Sequence, residues 1–156
     1  WSKQLPEYSF TSEIPGPWKV EFQHYDGSNL SRGWDGLINL KNAEDTMLQT
    51  FAGIIIYKTS FKNVKGNHLT IDLGSVYDIS ELRINDSLVG TKWYGRHIYK
   101  IPENIMQTNN SMEVKVTTVL NNYVRSLDNN PTAIRWAGYN EMVDAGLIGP
   151  VTLKYR

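Results

Sequence analysis

Five consecutive residues, Trp93-Tyr94-Gly95-Arg96-His97, bring together the side-chain types that hold a sugar. A pyranose presents flat C–H faces that stack on Trp or Tyr rings, and its hydroxyls pair with Arg, Asn, Asp or His groups. Trp136, Tyr139 and Asn140 make a second group of this kind, and Trp34 with Asp35 a third. Large aromatic residues also bury well at the ends of a sandwich. Packing is therefore the first reading for Trp93, whereas Tyr94 and Arg96 divide evenly between binding and packing.

Cleaving a sugar needs more than holding it: two carboxylates about 5 to 10 Å apart, one with a raised pKa. The candidates are Asp72 on the polar face of a strand, Asp78 and Glu81 around a strand start, Asp86 in a turn, and the adjacent Glu44-Asp45. Neighbouring residues on a strand point apart, so no pair is assembled locally, and solvated surface charge is the favoured reading for each. There is no Gly-x-Ser-x-Gly elbow and no His-Glu-x-x-His zinc pattern. His24, His68 and His97 are far apart in sequence, and His24 reads as a hydrogen-bonded structural histidine. The chain by itself is expected to have no catalytic residues.

The elements that must position these groups are strands. Trp18, Val20, Phe22 and His24 alternate on one face of a first core strand. Gly53 to Phe61, rich in isoleucine and aromatics, reads as a central strand covered on both faces. Leu69, Ile71 and Leu73 alternate up to Gly74. Leu82 and Ile84 lead into Asn85-Asp86-Ser87 and then Leu88-Val89-Gly90, the pattern of a hairpin, and the five-residue aromatic run follows directly. Met112, Val114 and Val116 share one face of a strand continuing toward Val119, and Val151 to Tyr155 alternates as a last strand returning near the first. Asn130-Pro131 predicts one short helical turn to Trp136. A short strand or irregular turn is expected around Leu37 to Leu40, and a glycine-rich loop from Val143 to Pro150. Many short strands and almost no helix predict an all-β, two-sheet antiparallel β-sandwich or jelly roll.

Composition narrows the partners. A chain of 156 residues is the size of one domain, with residues 1–15 as a lead-in ending at Pro15-Gly16-Pro17 and residues 16–156 as the sandwich. Lys plus Arg and Asp plus Glu both number 16, so no net field favours nucleic acid. No apolar run approaches the ~20 residues that cross a bilayer. Cysteine is absent, which removes disulfides and thiolate metal sites. The chain starts at Trp1 rather than Met and reads as a piece of a longer protein.

The run "LTIDLGSVYDISELRINDSLVGTKW", then "YKIPENI" and "NNSMEVKV", resembles the galactose-binding-like β-sandwich of glycoside hydrolases, as in the sugar-binding domain of family 2 and the C-terminal domain of family 106-type α-L-rhamnosidases. "GPWKVEF" and "FAGIIIYKTSF" upstream and "AGLIGPVTL" downstream fit the rhamnosidase-like version. The resemblance implies a non-catalytic, carbohydrate-binding-like accessory module whose partners are carbohydrate and a catalytic domain of the same polypeptide. It implies a periplasmic, cell-surface or secreted setting. The alternatives are a structural brace without ligand and, further off, a self-sufficient glycosidase. Modules of this kind often hold a structural calcium. Asp26 and Asn29, in Asp26-Gly27-Ser28-Asn29, offer hard oxygen ligands, while Asx-turn chemistry accounts for the same residues without a metal.

Overall fold

The computed structural model describes residues 8–156. The strands are β1 (Phe10–Glu13), β2 (Trp18–His24), β3 (Asn29–Trp34), β4 (Gly53–Lys62), β5 (Thr70–Asp72), β6 (Ser75–Val76), β7 (Ile79–Ile84), β8 (Ser87–Lys92), β9 (Ile98–Lys100), β10 (Asn109–Thr117), β11 (Leu147–Gly149) and β12 (Thr152–Tyr155). Three short helices join them: α1 (Thr46–Gln49), α2 (Asn121–Val124) and α3 (Pro131–Ala137). A six-stranded sheet runs β3-β2-β4-β10-β7-β8 and a four-stranded sheet β1-β12-β5-β9, every pairing antiparallel. β6 and β11 form a separate two-stranded ribbon. The protein is a two-sheet β-sandwich.

The register explains why alternation in sequence becomes a core. Val20, Tyr57, Val114 and Leu82 stand opposite one another on four successive strands, and all four are fully buried. One step along, Phe22, Ile55, Val116 and Ser80 form the next inward row. The opposing sheet contributes Ile71, Tyr99 and Leu153, also buried. Each such aliphatic side chain contributes about 1.5–3 kcal/mol by leaving water. The seven residues expected to share this core, Leu69, Ile71, Leu73, Leu82, Ile84, Val114 and Val116, all lie in it.

Turn chemistry fixes the frame. Asn85 and Asp86 adopt φ of 48° and 63° between β7 and β8, the left-handed pair that a two-residue hairpin requires. The Asn85 amide donates to Ile105 O and to Asn110 Oδ1, both at 2.8 Å, and its carbonyl accepts from Ser111 N, so the turn is tied to β10. Asn130 caps α3 by accepting from Thr132 N and Ala133 N at 3.0 Å.

Of the two forms expected around Leu37 to Leu40, the irregular turn is the one present: Asn39 caps a 3-10 turn at Leu40–Asn42 and Asp45 caps α1, because Asn and Asp side chains offer backbone N–H groups a local acceptor. Three other sequence expectations are corrected. β4 is central, but only Ile55 and Tyr57 are fully buried along it; Ile54 and Ile56 face a half-open side. The β10 strand stops at Thr117, where the Thr118 hydroxyl binds Gly53 N at 3.0 Å and the chain leaves the sheet. The supposed loop near the C-terminus holds β11, and the last strand pairs with β1 and β5 rather than with β2. Phe10–Glu13 of the lead-in is thus an edge strand, and residues 1–7 of that segment lie outside the described residues.

Candidate functional site

His24, Gly53, Thr117, Ile79 and Lys92 fall in line at one end of the six-stranded sheet, since His24 pairs with Gly53, Thr117 with both Ile54 and Ile79, and Ser80 with Lys92. The loops leaving this end carry most of the candidate residues. Trp34 is the exception: it pairs with Trp18 at the far end, packs edge-on against Phe22 with ring centroids 5.8 Å apart, and is half-buried, while Asp35 is exposed.

The loop after β8 divides its residues between two tasks. His97 is buried and its Nδ1 meets the Ser80 hydroxyl. Ser80 also bonds the Tyr99 hydroxyl at 2.7 Å, and Tyr99 donates to Ser80 O at 2.9 Å. This small polar network bridges the two sheets. Burial, helped by nearby Lys92, lowers the His97 pKa and keeps the imidazole neutral, so His97 is a loop anchor. Arg96 donates to Asp72 Oδ2 at 3.0 Å, and Lys154 reaches the same oxygen at 2.8 Å. Asp72 is not a solvated surface charge, as its strand position predicted. It is buried in β5, whose three residues are all covered, because β9 and β12 flank it. Burial opposes its ionisation, but Lys154, the Gly74 N–H and Arg96 together hold its pKa below the ordinary value.

With its base anchored, the loop presents Trp93 and Tyr94 outward. Each is 73% exposed, and their rings meet edge to face at 4.7 Å and 62°. Packing, the first reading for Trp93, does not hold in this chain by itself. The Arg96 side chain remains 67% exposed beside them. Tyr139 is 83% exposed, whereas Trp136 is half-buried along a groove with Val124, Leu127 and Ala133, and Asn140 donates to Trp136 O at 2.8 Å.

A further carboxylate sets the geometry of this end. Asp78, at the start of β7, accepts from Val119 N at 3.0 Å and Gly146 N at 2.9 Å. One side chain thereby clasps both ends of the α2–α3 segment. Burial pushes its pKa up, partly offset by those two N–H donors. This too departs from the expected surface charge.

The β2–β3 end, which the sequence offered only as a calcium candidate at Asp26 and Asn29, also holds a cleft. Its volume is about 290 Å³, and it is lined by Phe22, His24, Asp26, Asn29, Met47 and Phe51, among others. Asp26 Oδ1 accepts from Ser28 N at 2.8 Å as an Asx turn. Its pKa is drawn down to about 2, chiefly by hydrogen bonds from Ser28 and further by the nearby His24. His24 Nδ1 lies 3.0 Å from Asp26 Oδ1 but makes no hydrogen bond of good geometry, so the expected hydrogen-bonded histidine is only a close neighbour of that carboxylate. Its ring meets that of Tyr25 at 4.4 Å with the planes tilted by 51°, and the Tyr25 hydroxyl accepts a 2.6 Å hydrogen bond from Tyr123. Asn29 points its amide at Gly27 O, at 3.5 Å. Among the described residues no group of three His, Asp or Glu side chains is gathered to hold a metal, and no helix is long and apolar enough to cross a membrane.

Fold and site together define a small β-sandwich module with an aromatic-rich end. Comparison with known proteins places its relatives among the glycoside hydrolases. A rhamnosidase from Novosphingobium sp. PP1Y superposes over the whole chain with a TM-score of 0.79 and 25% identity, the match covering 16% of that protein. A β-D-glucuronidase from Dictyoglomus thermophilum matches 97% of the chain at a TM-score of 0.62 and 17% identity, covering 28% of that protein; this likeness concerns the fold. In sequence, 90% of the chain is 26% identical to a Formosa agariphila protein described as "Putative beta-glucuronidase" and spans 15% of its length. No protein-family profile matches. The chain thus corresponds to a small part of much larger glycosidases.

Proposed function

We propose that this chain is a non-catalytic accessory module of a larger glycoside hydrolase, rhamnosidase-like in kind, which contacts carbohydrate through the loop after β8. The observation carrying this reading is the division of labour within Trp93–His97. His97 and the Asp72 contact of Arg96 fix the loop's base, while two adjacent rings and the guanidinium edge stay exposed. An aromatic platform beside a hydrogen-bond donor suits the C–H face and hydroxyls of a pyranose. A rigid frame presenting side chains on loops is the usual way a scaffold carries binding. Such a module acts outside the cytoplasm, at the cell surface or in the periplasm, alongside its catalytic domain.

A second reading, a brace docked on the catalytic domain of the same polypeptide, is favoured by one observation. The exposed apolar side chains at this end extend past the aromatic loop to Tyr77, Ile79, Val119, Leu120, Ile134 and Tyr139. Exposed apolar side chains in such number are a feature of interaction surfaces.

Isothermal titration calorimetry of the chain with rhamnose, galactose and pectin oligosaccharides separates the two. Binding with a dissociation constant on the order of 0.1 to 1 mM, abolished in Tyr94→Ala at unchanged melting temperature, supports the sugar-contacting module. Absence of heat with every sugar leaves the brace.

A further inference from the structure

The cleft between the β2–β3 turn and α1 has the composition of a second carbohydrate subsite. Its floor is apolar: Phe51 and Leu48 are buried, and Met47, at the start of α1, closes one side while remaining 54% exposed. Phe51 is held upright by edge contacts from Phe22 at 5.2 Å and His24 at 5.5 Å. The rim is polar: the Asp26 carboxylate and the Asn29 amide, with the His24 imidazole packed beside them and its Nδ1 buried against Asp26. Asp26 spends one oxygen on Ser28 N, which leaves acceptor capacity directed outward from an exposed turn.

Three features decide the ligand class. The apolar floor calls for C–H surface, and the rim acceptors call for hydroxyl donors. Among the described residues Asp26 is the one carboxylate lining the cleft and no Lys or Arg lines it, so an anionic ligand meets the repulsion of Asp26 with only the His24 imidazole nearby to offset it. We infer that this cleft binds an uncharged pyranose, selecting against uronic acids.

Its position gives the subsite a partner. β2 and β8 belong to the same end of the same sheet, four strand positions apart, or about 19 Å at ~4.8 Å per strand. The cleft and the Trp93–Tyr94 loop therefore lie along one edge, and an oligosaccharide of several residues reaches both. This rests on the reading of the sandwich as a carbohydrate module but makes a separate demand on it. Two weak contacts on one chain of sugars raise the apparent affinity by making the second contact intramolecular.

The test is NMR shift mapping of the chain with methyl α-rhamnopyranoside, methyl β-galactopyranoside and glucuronate. The expected result is that amides of Asp26–Leu30 and Thr46–Phe51 move with the neutral sugars and respond severalfold more weakly to glucuronate. Asp26→Asn, which keeps an acceptor for Ser28 N, then weakens the neutral sugars about fivefold and narrows the gap to glucuronate. Movement confined to Trp93–His97 overturns the subsite and leaves the proposed function standing. Movement confined to the cleft supports the subsite and removes the loop from the function. An equal response to glucuronate, or an unchanged affinity in Asp26→Asn, overturns the ligand class, and silence at both places overturns both readings.

Discussion

Replacing Asp72 by Asn removes a charge while keeping its shape and its acceptor for Gly74 N, which lies 3.0 Å from Oδ1. The lost contacts are those of Oδ2 with Lys154 at 2.8 Å and Arg96 at 3.0 Å. Breaking a fully buried ion pair costs about 3–5 kcal/mol and an exposed one about 0–1. Here the carboxylate is 9% exposed, Lys154 23% and Arg96 67%. An intermediate loss of about 1–3 kcal/mol at pH 7 follows, most of it from Lys154. The folded pKa of Asp72 is depressed, so its contribution is present above the unfolded value of about 3.9 and fades as pH falls through the folded one. Urea melts at pH 7 and at successively lower pH read this directly: the gap between wild type and Asp72→Asn is full at neutrality and narrows from about pH 4 downward. A gap below about 0.5 kcal/mol at pH 7, or one that does not change with pH, refutes the ion-pair assignment.

Truncating Ile84 or Val114, both fully buried, to Ala lowers stability by about 2–4 kcal/mol in denaturant melts. Gly74 has φ +67°, and an added Cβ would come within 2.4 Å of the Gly149 carbonyl carbon, so Gly74→Ala lowers the melting temperature by at least several degrees. Asp78→Asn turns an amide N–H toward Val119 N or Gly146 N; hydrogen exchange then accelerates across residues 119–146 while β10 and β7 stay protected. The purified chain does not turn over aryl rhamnosides or galactosides, and a steady-state assay whose signal disappears on mutating a single carboxylate contradicts this.

The sheet was legible wherever one strand face is buried and the other wet, because a period of two then appears in the letters: Trp18 to His24, Leu82 to Ile84 and Met112 to Val116 show it. It failed at β6 and β11, two and three residues long, where no alternation extends into the flanking residues as Leu69 and Leu73 extend that of β5. It failed also at Asp72 and Asp78, whose burial depends on β9, β12 and the residues around Val119 and Gly146, remote in sequence. The aromatic loop after β8 was visible as composition. Which of its residues would anchor and which would face water was not, because Ser80, Tyr99 and Asp72 supply the anchors. The β2–β3 cleft escaped notice because Met47 of α1 and Phe51 just after it line it from a stretch remote in sequence from the β2–β3 turn.

Tryptophan emission reads the central claim most directly, since Trp93 is 73% exposed and Trp18 is 1% exposed. The account predicts a saturable change in emission as a neutral oligosaccharide rises through the millimolar range, absent in Trp93→Phe although that variant melts as the wild type does. Unchanged wild-type emission up to tens of millimolar, or an equal change in Trp93→Phe, contradicts it.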